Sequence, residues 1–370
     1  MSILTLAIKI ELSTIPLYLY SIYSIKKDDG KGGTQARAKI SVVVHQEMLH
    51  LALAGNLLTS IESGPQLYSD ETVPTYGGPN DVILKSGIPL RLESCEKDNL
   101  ECFLKIEAPY LAPPILTAEE ESVNAADVNL HGLNMSAAKE YHSIGELYTE
   151  LEHMIHHCEG YITFKNTDLQ FSPADFFADK MTQVVNQKTA HHALKIIIDQ
   201  GEGSVGVEDA HYQMFLELYM NRTDWKCWQV PKSPKTTDYE LDPLLWNLAR
   251  ASDAAYCYLL VTIQKTWEVK NLVLRRSLIS NIHSIMVNII TPLAEFMVAQ
   301  PFKNGNAAPA FQIYKTGAEG DKSKVDEAGK KLQGAIIHHL ESAIKAAQDN
   351  VKKEALNVIK FSAQRISWPI

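Results

Sequence analysis

"SVVVHQEMLHLALAGNLL", Ser41–Leu58, is mostly apolar, yet it holds Glu47 and His50 three residues apart. On a helical wheel Ile40, Val43, Val44, Glu47, His50, Leu51, Ala54 and Leu58 share one face at spacings of three and four. Glu47 and His50 therefore fall in the middle of a core stripe, whereas His45 points elsewhere. An ionised carboxylate in such a stripe costs several kcal/mol unless it is paired or coordinates a metal.

The preceding segment repeats the anomaly. Periodicity predicts a helix over about residues 2–27, with Leu4, Ala7, Ile8, Glu11, Ile15, Tyr18 and Ile22 along one side. Glu11 is a lone acid in that stripe, and by itself it reads as a buried glutamate satisfied by a tyrosine or lysine. Further on, "HSIGELYTELEHM" (142–154) offers Glu146, and "EDAHYQMFLEL" (208–218) repeats the Glu-x-x-His spacing as Glu208 and His211. His211 shares its face with Met214, Phe215 and Leu218, so it too points at a core. The order is Glu, Glu-x-x-His, Glu, Glu-x-x-His on four successive helices, the ligand set of a carboxylate-bridged dinuclear site in a four-helix bundle. Two divalent irons or manganeses need hard oxygen donors to bridge them and one imidazole each. One Glu-x-x-His is common by chance; two of them with acids on the other two helices are much more specific.

Two positions fit the pattern less well. The apolar residues around Glu146 are Ile144, Leu147, Leu151, Met154 and Ile155, and Glu146 lies nearly opposite them. The wheel makes it a solvated acid, able to be a ligand only if its helix is buried on two sides. Glu150 and Glu152 compete with it, and His142, His153, His156 and His157 read as surface or supporting residues. In "IIIDQGEGSVG" (196–206), Glu202 lies on the face of Leu194 and Ile198. Spacing favours Glu208 as the ligand and core placement favours Glu202. A break at Gly201, Gly203 and Gly206 would let Glu202 stand beside His211.

The remaining chain is dominated by helical periodicity. Helices are expected at about 35–60, 138–164, 181–200, 208–221, 243–268, 271–300 and 325–348. Residues 62–115 are rich in proline and glycine and read as an irregular excursion after the second helix, with a short strand such as "PLRLE". The expected organisation is all-α: a dinuclear-metal bundle over 1–229, a linker over 230–242, and a C-terminal helical region over 243–370 packed on the bundle.

Composition narrows the function. With 370 residues, 45% hydrophobic and 21% charged, the profile is that of a soluble globular protein. A net charge of -9, without a Lys/Arg-rich run, argues against a nucleic-acid partner. Five cysteines without a C-x-x-C pair argue against a disulfide framework and for a reducing setting. The apolar N-terminus is interrupted by Lys9, Glu11 and Pro16, so a buried helix is expected there rather than a signal or membrane segment, with the cytoplasm as the default location. Nucleophile-elbow, phosphate-loop and H-E-x-x-H motifs are absent. His191, His192, His338 and His339 read as ordinary helix residues.

The segments "IELSTIPLYLYSIYSIK" (10–26), "VVHQEMLHLALAGNLL" (43–58), "SIGELY" (143–148), "QGEG" (200–203) and "AHYQMFLEL" (210–218) resemble the ferritin-like domain of the iminophenylpyruvate dimer synthase family, associated with violacein and indolocarbazole biosynthesis. "AEFMVAQPFKNGNAAPAFQIYK" (294–315) resembles that family's extension. The resemblance covers about residues 3–221 and implies Glu11, Glu47, His50, Glu146 and His211 as metal ligands, with attention to Glu202. It implies a non-haem di-iron oxidase or oxygenase of specialised metabolism. The cofactors would be two iron ions cycling between Fe(II) and Fe(III), or manganese in their place, with dioxygen as co-substrate. The substrate would be small and amino-acid-derived. The chain is much shorter than the pathway synthases, so the resemblance carries the class and not the product. Tyr18 and Tyr148 read either as pocket wall or as core. The alternatives are an iron-binding or storage protein without turnover, and a structural protein with a buried polar network. Neither a nucleic acid nor a membrane is expected as a partner; a homo-oligomer is compatible with the sequence.

Overall fold

The computed structural model describes residues 2–27, 31–109, 140–158, 160–201 and 210–369. The fold is all-α, as expected. The first helix, α1 (Ile3–Ser24), starts at Ser2, whose hydroxyl accepts from the Thr5 N–H, and it continues through Pro16. Proline disfavours a helix interior, but almost every residue of α1 is buried, and tertiary packing overrides local preference. α2 (Lys31–Ile61) lies against α1 over a broad interface. Among the described residues, two helices are long and apolar enough to cross a membrane by length and composition. One is α1, 78% of whose most apolar window is buried inside the protein, as in a core helix. The other is the segment Leu272–Val298.

The other two walls of the bundle are each assembled from shorter pieces. α3 (Lys97–Ile106) packs on the C-terminal half of α1, where Tyr18 meets Phe103 edge-on at 4.7 Å and Asn99 donates to Ser21. α4 (Ile144–His157) packs nearer the N-terminal half of the same helix. α5 (Gln187–Gln200) and α6 (His211–Met220) follow one another along α2, antiparallel to it: Gln200 meets His50, His211 meets Gln46, and Lys39 pairs with Glu217. The excursion after α2 is therefore not wholly irregular. α3 was not foreseen because a ten-residue helix enclosed by prolines gives a short periodic signal. The strand expected at "PLRLE" is reduced to one isolated bridge, Val82 to Pro89.

The C-terminal half comprises α7 (Pro243–Thr266), α8 (Leu272–Ile285), α9 (Thr291–Val298), α10 (Val325–Ala346) and α11 (Asn350–Arg365). A π-helical turn, Met286–Ile290, joins α8 to α9, and a two-residue hairpin, Pro301–Phe302 with Gly305–Asn306, follows. α10 lies along α7, and α9 reaches α1. α11 was also not foreseen; its buried face is only Leu356, Ile359 and Ala363. Residues 230–242 are fastened to their surroundings: Tyr20 donates to the Pro231 carbonyl, the Ser233 N–H donates to Leu92, and Tyr239 is buried.

One contact joins the halves closely. A Cβ on Gly55 of α2 would lie 2.2 Å from Cζ2 of Trp267, so glycine is required for the indole to rest on the helix. The Trp267 N–H donates to Asn56 Oδ1 (3.1 Å), and Asn56 also bonds the backbone of Phe171 and Thr182.

Candidate metal centre

Glu11 on α1, Glu47 and His50 on α2, Glu107 at the C-terminal cap of α3, and His211 at the start of α6 converge in the bundle core. Each is at most 3% exposed. They form two triads, Glu11/Glu47/His50 and Glu47/Glu107/His211, with potential ligand atoms inside each lying within 4.8 Å of one another. Glu47 belongs to both. Its Oε1 lies 3.7 Å from His50 Nδ1 and 3.0 Å from His211 Nδ1. Glu11 Oε2 is 3.5 Å from His50 Nδ1, and Glu107 Oε2 is 3.3 Å from His211 Nδ1. The imidazole rings face each other with centroids 5.5 Å apart.

Each carboxylate is held in the same way. Its outer oxygen accepts from a hydroxyl: Tyr148 to Glu11, Thr14 to Glu47 and Tyr18 to Glu107. Its inner oxygen is left to face the imidazoles. The imidazoles are matched to this arrangement. Nε2–H of His50 donates to Gln200 Oε1 (3.1 Å), and Nε2–H of His211 donates to Gln46 Oε1 (3.0 Å). Fixing the proton on Nε2 leaves the Nδ1 lone pair pointing into the cluster, the arrangement a metal ligand needs.

The electrostatics are unbalanced. Three buried carboxylates meet two imidazoles, and among the described residues no lysine or arginine pairs with them. Burial pushes the Glu11 and Glu107 carboxyls upward, against the pull of the histidines. For Glu47 burial is outweighed by His211, His50 and Thr14, which hold its carboxyl below the usual range. His211 is driven the other way: burial disfavours its cation, but Glu107 and Glu47 outweigh that and raise it to about 10. Protons thus stand in for the missing positive charge, and a divalent cation binding at the inner atoms would displace them. The donors are hard oxygens and imidazole nitrogens without thiolate, which suits iron or manganese. The residues present therefore fit a dinuclear metal.

Of the residues singled out from the sequence, Glu11, Glu47, His50 and His211 are brought together. Glu146 is not. It sits in the first turn of α4 with its side chain 26% exposed, and its carboxylate accepts from the His142 N–H (2.8 Å) while its own N–H donates to Ser143 Oγ (3.0 Å). This is helix capping, and its S-x-x-E signature is legible in "SIGE". Glu202 and Glu208 lie outside the described residues. Gly201 stands 3.7 Å from His50 Cε1 as measured from a built Cβ, and Ala210, beside His211, is buried.

The acid from the third wall is Glu107, which was missed. The signal was available: Leu100, Phe103 and Glu107 continue one stripe at spacings of three and four, the criterion that picked out Glu11 and Glu47. Gln46, Gln200 and Thr14 carried no comparable signal, because an amide or hydroxyl in a core stripe is ordinary. Tyr18 and Tyr148 are buried and also hold the carboxylates.

The sequence matches the Ferritin-like family over residues 4–220. No curated protein matches the chain. Among solved structures, a ferritin-like protein from Caulobacter vibrioides has a similar fold, with a TM-score of 0.51 at 21% identity over 76% of this chain and 93% of that one. With a family match over more than half of its length and the bundle that the match implies, this chain belongs to the ferritin-like family.

Proposed function

We propose that the protein is a non-haem dinuclear metal oxidase or oxygenase of specialised metabolism, related to the iminophenylpyruvate dimer synthases and acting on a small amino-acid-derived substrate with dioxygen. Glu11 and His50 would hold one ion, Glu107 and His211 the other, and Glu47 would bridge them. Iron is the metal of choice and manganese its substitute. Bound there, the metal pair supplies redox chemistry with dioxygen that side chains alone cannot perform. The chain contributes a dry, pre-formed cage. Tyr148, Thr14 and Tyr18 each clamp one carboxylate oxygen and so aim the other inward. Gln200 and Gln46 fix the histidine tautomer. Burial keeps bulk water from the donors.

The single observation behind this reading is the sharing of Glu47 between two triads, since a polar network without metal has no need of two inward-facing Nδ1 atoms around one carboxylate. The test is anaerobic reconstitution with ferrous ion, metal analysis, and oxygen uptake with a panel of amino acids. Two ions per chain with substrate-dependent uptake beyond the iron present supports the proposal. Uptake that stops once the iron is oxidised points to storage, and a chain that stays metal-free overturns the reading.

A further inference from the structure

A second cluster lies away from the metal centre, in a cleft of about 420 Å³ between α7, the segment 310–315 and the excursion after α2. Its size is that of small-molecule sites. Trp246, Arg250 and Asp253 line it from one face of α7. The Arg250 guanidinium is stacked beside Tyr314 (4.7 Å from the ring centroid) and Trp246 (5.2 Å). Its Nε–H donates to His339 Nε2 (3.2 Å), which also accepts from the Tyr314 hydroxyl, while His339 Nδ1–H donates to Asn247 Oδ1. Burial and Arg250 lower His339 to about 4, so it stays a neutral acceptor. The side chain is thus fixed along its stem, and among the described residues its two terminal nitrogens meet no hydrogen-bond partner and no carboxylate within ion-pair distance, with Asp253 near enough only to feel its charge.

The surrounding acids are engaged elsewhere. Asp70 pairs with Lys315, and Asp81 accepts from Thr75 (2.6 Å) and the Gly78 N–H (2.7 Å). Asp253 accepts from the Thr236 hydroxyl and from the Gln312 N–H (3.0 Å). Phe311 takes a left-handed backbone, with φ of 51°, which is costly for an aromatic residue and turns the chain just before that N–H. Lys235 adds a second cation at the rim.

We infer that this cleft binds a small organic carboxylate with an apolar body, gripped through the free guanidinium fork of Arg250. Two parallel N–H donors match a carboxylate edge to edge, and Trp246, Val73 and Phe311 offer apolar wall. Three cations, Arg250, Lys235 and Lys315, face three carboxyls, Asp70, Asp81 and Asp253, so the cleft carries little net charge and suits a monoanion better than a phosphate dianion. The inference is independent of the metal reading.

The test is calorimetric titration of the full chain with phenylacetate, acetate and inorganic phosphate. Saturable one-to-one binding of phenylacetate is expected, tighter than acetate or phosphate. It should weaken about tenfold or more in Arg250→Gln and in Arg250→Lys, which keeps the charge but loses the fork, and persist in Glu47→Gln. If those variants fail to fold, labelling of Arg250 in the unaltered protein by phenylglyoxal, read by mass spectrometry, should be blocked by phenylacetate. Absence of binding, binding unchanged in the folded Arg250 variants, preference for phosphate, loss in Glu47→Gln, or labelling that phenylacetate does not slow would each overturn the inference.

Discussion

The carboxylate–imidazole cluster and the Arg250 cleft present opposite charges at their centres and are alike in construction. In the bundle, three carboxylates converge with no lysine or arginine beside them among the described residues. In the cleft, among the described residues, no carboxylate comes within ion-pair distance of the Arg250 guanidinium, although Asp253 shares its helix face. Both are held by neutral groups: glutamine amides behind His50 and His211, and an imidazole backed by Asn247 behind Arg250. Neutral supports orient a charge without cancelling it. The difference lies in burial. The carboxylates are sealed in the core, where uncompensated charge is very costly, whereas Arg250 opens onto a cleft where water can relieve it. The bundle therefore must hold protons or a cation among its carboxylates, whereas the cleft can leave its charge bare.

The largest expected effect follows from that asymmetry. Glu47→Ala removes the carboxylate common to both triads, so on the proposed function ferrous loading should fall from about two ions per chain to near none, a loss of at least about a hundredfold in affinity. Glu107→Gln should lose one ion and spare the other. Equal loading of Glu47→Ala and the parent chain, measured by metal analysis after desalting, would break the comparison. Next are the amide supports. Gln46→Leu and Gln200→Leu free the Nε2 proton and should weaken metal binding by about 10–100-fold, with little change in helical content by circular dichroism. If the amides serve only packing, leucine should leave affinity unchanged.

A third prediction uses Asp253. Burial raises its carboxyl from 3.8 to about 7. The folded state therefore holds this proton more tightly than the unfolded chain does. The contribution is fully present below about pH 3.8 and is lost as pH rises through about 7, a swing on the order of 4 kcal/mol. Asp253→Asn should melt above the parent at pH 8, by a margin that shrinks to less than half at pH 5 and vanishes below about pH 3.8. A constant gap between the two melting curves across that range would show that Asp253 is not the group responsible. The smallest effect belongs to Glu146→Gln. It alters a cap worth about 1 kcal/mol, so in a chain of 370 residues a melting shift of about one degree with unchanged metal loading is expected. Loss of an ion in that variant would return Glu146 to the ligand set.

Much of the bundle could be read from sequence because its anomalies are loud. A charge inside an apolar stripe is rare, and Glu11, Glu47, His50 and His211 all stand in one. Glu107 obeys the same rule but sits at the end of a short helix among prolines, where too few turns exist to establish a period. Glu146 was placed by likeness to a motif, against its own wheel, and its local chemistry turned out to decide: Ser143 and the His142 N–H claim it before any ion can. The cleft was invisible, because its parts come from positions 70–81, 235–253 and 310–315 and only the tertiary fold brings them together.

The bare backbone at Gly55 has a consequence for anyone wishing to shorten this protein. The indole of Trp267 fills a slot floored by Gly55 and Gly64, and Gly55 lies about one and a half helical turns beyond His50. Truncation before α7 would uncover a trough that solvent must then wet, on the same rod that presents Glu47 and His50. A minimal version of the bundle needs a surrogate side chain grafted into that slot, or the turn carrying Glu47 and His50 will lose its footing.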